Sequence, residues 1–338
     1  MIVRDRQYPL RMLLAIRGSI IPTIAPQILV IAAIAALVAG LNRLYPGKLP
    51  VTTTAPFTFL GLTLSIFLGF RNNACYDRWW EGRKLWGLLI VEMRSLAREL
   101  TSLLDRDGLG LVGPGLVGPE RERQEQDGLD PQARMAMRIR ANAYCDRLLR
   151  HAIGFTHSLV THLRGQSPNP SIAKFFTEEE LASLRASRNP PDYALRLMGA
   201  ELAACHREGL LSDILFMTIE ARLTAIAGIQ AACERIHNTP LPFAYTLLLH
   251  RTAYLFCALL PFGLVTSLGY GTPLIAALVA YTFFGLDALG DELEDPFGLS
   301  PNDLPLSALA RTIEINLREA MGETDLPFAL QPNSYLLQ

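Results

Sequence analysis

Residues 56–104 read PFTFLGLTLSIFLGFRNNACYDRWWEGRKLWGLLIVEMRSLARELTSLL, and the distribution of charge along them decides the fold. No charged residue occurs from Pro56 to Phe70; from Arg71 onward charges return every few residues, and no proline interrupts the run. The pattern predicts one long helix that leaves an apolar layer at Arg71 and continues into water. Two rows run along its apolar half. Gly61, Ser65 and Gly69 recur four apart, the small-residue pattern through which helices approach closely in lipid. Leu62, Ile66 and Phe70 lie one residue round, on a common face. Packed copies would turn that bulky row toward a shared axis, where apolar rings gate ions by dewetting. The same spacing also suits an ordinary lipid-facing or core stripe.

Composition points the same way. Half of the 338 residues are hydrophobic and 19% are charged, against about 25% in soluble proteins, which predicts a membrane protein with a water-exposed part. A net charge of -1 supplies no concentrated positive surface for nucleic acid. The five cysteines, at 75, 145, 205, 233 and 257, are scattered, with no Cys-x-x-Cys pair. Neither a disulfide framework nor a zinc site follows, and a reducing setting is expected. No phosphate loop, dinucleotide fingerprint or nucleophile elbow occurs, so neither a catalytic residue nor a cofactor is expected.

Before the central stretch, residues 18–41 form an uncharged run long enough to cross a bilayer. Arg4, Arg6, Arg11 and Arg17 precede it and predict a cytoplasmic N-terminus. Residues 56–70 are a second span, short at about 22 Å if helical. Residues 105–132 turn to Gly, Pro and mixed charge, with the near-repeat GLGLVGPGLVGPE at 108–120, and read as a surface insertion. An amphipathic helix is expected over 133–164, a turn region over 165–173, and a capping box at Thr177 and Glu180 opening the next helix. Asn189-Pro190-Pro191 breaks that helix, and helices over 193–207 and 210–236 follow. Residues 241–269 and 272–286 are the third and fourth spans, and a last helix covers 306–321.

Several features have a plainer reading. TSLGYG at 266–271 is similar to a potassium selectivity filter but sits between two closely spaced apolar runs, where a turn is expected. His157 and His162, five apart, are misplaced for a metal pair and read as part of a solvated helix face. His250-Arg251 within the third span is expected to find a structural partner. The acidic run Asp287, Asp291, Glu292, Glu294 and Asp295 suits pairing with arginines better than a metal. Trp79, Trp80 and Trp86 suit an aromatic belt or packing between subunits.

Three separated segments carry a resemblance: FRNNACYDRWWEGRKLWG (70–87), ERIHNTPLPFAYTLLLHRT (234–252), and DELEDPFG (291–298) followed by NDLPL (302–306). Together they resemble the bestrophin family, its bacterial members in particular, from RDRQYPLRMLL (4–14) through Leu306. The insertion and the tail fall outside. The resemblance implies an all-α, multi-span membrane protein with four transmembrane helices per subunit and a large helical cytosolic region, assembled as a homopentamer. The chain then divides at 1–104, 105–236, 237–289 and 290–338. Aligning on Arg78-Trp79-Trp80 puts the family's pore neck at Leu62, Ile66 and Phe70. A cytosolic aperture, formed by an apolar residue after an aspartate, falls at Ile214 after Asp213.

Asn72 and Asn73 are the expected polar rim. The acidic clasp that binds calcium in animal members is replaced here by Leu299, Ser300, Pro301, Asn302 and Asp303, so calcium activation is not carried over. The expected partners are further copies of the chain, monovalent ions and the lipid of a bacterial inner membrane, with no metal site. The likeness to bacterial members leans toward a cation path. An anion (chloride) path is the alternative, and a transporter or a scaffold without flux the remaining readings.

Overall fold

The computed structural model describes residues 1–2, 18–48, 50, 53–104, 131–167 and 170–337. The four N-terminal arginines and nearly all of the Gly/Pro insertion lie outside the described residues. Within them every named element is a helix, and Asn333 and Leu336 form an isolated antiparallel bridge. In chain order the α-helices are α1 Ile21–Leu44, α2 Ala55–Leu103, α3 Pro131–Leu163, α4 Glu178–Ala186, α5 Pro190–Arg207, α6 Asp213–Asn238, α7 Phe243–Leu268, α8 Thr272–Glu294 and α9 Leu306–Ala320. Short 3-10 turns at Pro170–Phe175 and Gly269–Gly271 punctuate them.

Among the described residues, three helical runs are by length and composition apolar enough to cross a membrane: Ile21–Leu44, Asp213–Asn238, and Phe243–Glu294, which contains α7 and α8. The first and third match three of the four expected spans. Residues 56–70 do not qualify, because Arg71 arrives before the apolar stretch is long enough. Conversely α6, expected as a helix of the cytosolic region, does qualify; its residues Ile214, Met217, Ala221 and Gly228 are apolar or small and exposed.

The chain divides into two compact units, residues 1–82 with 238–304, and residues 83–237 with 305–338. In the first, α1 packs on α7 and α8. Its core joins Ile24, Ile31, Leu64, Leu68, Leu249, Phe256, Leu260 and Phe283 around the alanines 35, 253, 276 and 280. Alanine at those positions lets the backbones approach, which replaces the hydrophobic drive that lipid does not supply. Gly263 is tighter still, since a Cβ there would sit 2.5 Å from the Phe57 ring. TSLGYG forms the end of α7 and the turn at Gly269–Gly271, with Gly269 at φ 51°, as its plainer reading requires.

In the second unit α3 packs on α5 and α9. Its C-terminal half is buried on nearly every side, with Leu148, Leu149, Ala152, Ile153, Phe155 and Leu159 at or near zero exposure. The face expected to be solvated at His157 and His162 is only partly so, because both rings meet acids of other helices: His157 Nε2 meets Glu314 at 3.0 Å and His162 Nε2 meets Glu234 at 3.5 Å. The surrounding helices cover part of a face that polarity alone marks as open. The capping box forms as expected, Thr177 N–H donating to Glu180 at 2.8 Å and Glu180 N–H to the Thr177 hydroxyl at 3.3 Å. Asn189-Pro190-Pro191 starts α5 as well as ending α4: the Asn189 side chain caps Asp192 N–H, and proline is tolerated in a first turn whose N–H groups lack helical partners.

Along α2 within the first unit the buried positions are Leu64, Leu68, Arg71, Cys75 and Gly82, a narrow seam with steps of three, four and seven. Within the second unit they are Trp86, Leu89, Met93, Leu96 and Leu100, joined by Ala97 and Glu99, so that the covered face widens.

Candidate functional site

Leu62, Ile66 and Phe70 stand off that seam, on the open side, with exposures of 60%, 49% and 61%. Phe67, also exposed, meets Phe70 edge-on with ring centres 6.5 Å apart. The small row is divided. Gly61 lies under Phe256, where an added Cβ would come within 3.2 Å, whereas Gly69 has open space above it. Ser65 turns its hydroxyl back to the Gly61 carbonyl at 2.8 Å. The open side of α2 is thus lined with large apolar side chains and small gaps.

One residue beyond Phe70, the chain buries a charge. Arg71 is fully enclosed and donates to Asp287 at 2.7 Å, to the Asp287 carbonyl at 3.2 Å and to Asp291, with Glu294 at 3.6 Å. His250 Nδ1 reaches the second Asp287 oxygen at 2.7 Å. The His250 partner expected from the sequence is therefore Asp287, while Arg251 is exposed. Three acids of the run, Asp287, Asp291 and Glu294, are thus met by one arginine, Arg71, and Arg78 donates to the backbone carbonyls of Glu294 at 3.2 Å and Thr239 at 2.5 Å. Gly290 makes room for this network: a Cβ there would fall 2.7 Å from Asn72 Oδ1 and 3.2 Å from the Arg71 guanidinium. Asn72, half-buried, thus turns its carbonyl oxygen against α8, while Asn73 is exposed.

The Arg-Trp-Trp segment anchors the turn after α8. Trp79 Nε1 donates to the Asn302 carbonyl at 3.0 Å, and Gly82 lies under Phe297 and Leu304. The tryptophans do not act as one belt, since Trp86 is fully buried and Trp80 is 45% exposed. In the turn, Asp303 Oδ2 accepts from Ser300 N–H at 2.6 Å, and Glu292 accepts from Asn302. Burial, with Asp295 and Glu292 nearby, pushes the Asp303 carboxyl up to about 6, against the pull of the Ser300 hydrogen bond. Its acidic residues are thus partly committed to holding the turn.

Ile214 is the second residue of α6 and 58% exposed; the Asp213 side chain beside it is 91% exposed. Asp213 meets His206 Nε2 at 3.3 Å. Further along α6, Arg222 donates to Glu99 at 2.9 Å and Glu92 at 3.2 Å, fixing the helix to the last turns of α2. Sequence reading missed His206, Arg222 and Gly290. Arg222 and Gly290 carry no local signal, because their partners lie far away in the chain. His206 stands seven residues before Asp213, a proximity open to inspection.

The family model described as bacterial/fungal bestrophin protein matches residues 1–319. A protein of Mesorhizobium japonicum described as voltage-dependent anion channel-forming is 44% identical over 323 residues, 96% of this chain and 93% of its own. An Escherichia coli K12 protein of the same description is 40% identical, covering 99% of both chains. A crystal structure of a bacterial bestrophin homologue from Klebsiella pneumoniae, a single-substitution variant, aligns with a TM-score of 0.76 at 34% identity, covering 89% of this chain and 99% of that one.

Proposed function

Because this chain belongs to the bacterial/fungal bestrophin family, we propose that it is a passive anion channel of the bacterial inner membrane, built from five copies around an axial path. Leu62, Ile66 and Phe70 of each copy form its apolar neck, Asn72 and Asn73 the polar rim below, and Ile214 the cytosolic aperture. The N-terminus lies in the cytoplasm. No chemical step is involved; the protein supplies a path and a barrier.

The observation that carries the reading is the open side of α2. Three large apolar side chains one turn apart are about half exposed or more, while the chain packs through a different seam at Leu64, Leu68 and Arg71. A ring of such side chains excludes water from a narrow path and so gates ions without covalent chemistry. Lipid contact alone would explain exposed leucines. It does not account for a span this short that runs straight into Arg71 and Asn73, which an axis shielded by neighbours tolerates.

The cation leaning gives way to its alternative. Apolar rings carry no sign of charge and are compatible with either ion, and the relatives described as anion channel-forming favour chloride. The test is reconstitution in liposomes under a potassium chloride gradient. The expected reversal potential lies toward that of chloride, and Ile66→Ala raises flux several-fold. A potential toward that of potassium would restore the cation path. Saturation with ion concentration would indicate a transporter, and absence of flux in both proteins a scaffold.

A further inference from the structure

The open side of α2 does not end at Phe70. At about 100° per residue, Leu62, Ile66, Phe70, Asn73, Asp77 and Trp80 fall within an arc of about 80°, and the buried seam of the first unit, from Leu64 to Gly82, is centred about 170° away. All six side chains of the arc are exposed. The face that carries the apolar row thus continues for nearly three more turns, and Asp77 is its carboxylate.

Asp77 differs from the other charges of this stretch. Arg71 is enclosed by Asp287 and Asp291, Arg78 donates to the Glu294 and Thr239 carbonyls, and Glu81 is half-buried and engaged. Asp77 makes no hydrogen bond or ion pair among the described residues. No lysine or arginine of α2 up to Gly82 shares its arc. Its neighbours on the open side are aromatic: Tyr76 is 52% and Trp80 45% exposed, and both stack on Trp79, with ring centres 6.4 and 6.3 Å away. Low-dielectric walls of this kind focus the field of a charge into the water before it.

We propose that Asp77 is a specificity-determining residue of the channel. Five copies around the axis set its carboxylates in a ring about 10 Å beyond Phe70 on the cytosolic side, which is about one Debye length at physiological salt. Rings of Asp or Glu draw cations and penalise anions. The ring therefore works against chloride, and the chloride preference is lower than it would be without this carboxylate. This rests on the channel reading and on Leu62, Ile66 and Phe70 as the neck of a shared axis.

The test is the chloride-over-potassium permeability ratio of the reconstituted full chain at neutral pH. Asp77→Asn raises the ratio several-fold, Asp77→Glu keeps it near the unsubstituted value, and Asn73→Asp, which adds a second ring one turn nearer the neck, lowers it several-fold. The gap between the unsubstituted protein and Asp77→Asn narrows between about 0.05 M and about 1 M potassium chloride, as salt screens the ring. An unchanged ratio in Asp77→Asn with flux retained overturns the role of Asp77, whatever Asn73→Asp does, and leaves the channel reading in place. A shift as large in Asp77→Glu as in Asp77→Asn assigns the effect to packing and overturns it too. Absence of flux in every protein, Ile66→Ala included, removes the channel reading and the inference with it.

Discussion

At the scale of single residues, Arg71 is the most consequential side chain outside the apolar rows. A fully buried guanidinium is tolerable because two carboxylates and a backbone carbonyl meet it, and the arrangement depends on the missing side chain of Gly290. Gly290→Ala is expected to destabilise the protein by about 1–3 kcal/mol, the usual cost of overpacking a filled interior. Gly285→Ala, on the same helix with Ile24 at an ordinary 3.7 Å, should be neutral or mildly stabilising. Melting temperatures of the two variants in one detergent check this; equal melting would show that Arg71 and Asn72 move aside freely. The acids that receive Arg71 were legible as partners for arginines. Which arginine meets which acid was not, because residues 71 and 287 are brought together only by tertiary packing.

At the scale of the element, α9 is held by one carboxylate. Glu314 is 1% exposed and meets His157 at 3.0 Å, Lys174 at 2.9 Å, Arg311 at 3.6 Å and Arg318 at 3.8 Å. Burial opposes its ionisation, yet the hydrogen bonds from His157 and Lys174 and the neighbouring positive charges hold it at about 2. A carboxyl lowered in the folded state stabilises above its unfolded value of about 4.3 and loses that contribution as pH falls toward the folded value. Glu314→Gln should therefore cost about 3 kcal/mol at pH 7. The difference from the unsubstituted protein should shrink between pH 4.5 and 2, which denaturant titrations at several pH values would follow. A difference independent of pH would assign the loss to packing.

Helix existence was largely legible at this scale: the capping box, the Asn-Pro-Pro junction and the apolar runs each mark a start or an end by local chemistry. The character of α3 and α6 was not, because partners from distant parts of the chain decide which of their faces are covered.

At the scale of the whole molecule, the exposed rows on α2 and α6 leave apolar surface for other copies or lipid to cover. Phe59, Leu62, Ile66 and Phe70 on one helix, and Ile214 and Met217 on the other, are all about half exposed or more. Native mass spectrometry from mild detergent is expected to give five times the 37.3 kDa chain mass. A 37.3 kDa species alone would remove the shared axis and the neck with it. Family membership could be read from three short motifs because those segments hold the fold together. Arg78 and Trp79 grip the turn after α8, and Gly82 admits Phe297. The sign of the permeant ion could not be read there, since these motifs specify packing.

All five thiols are buried and none is disulfide-bonded. A bulky, water-soluble alkylating reagent therefore meets a silent native background, and no endogenous cysteine has to be removed before a reporter is introduced. Single replacements along α2, such as Ile66→Cys, would by their labelling rates tell water from lipid one helical turn at a time.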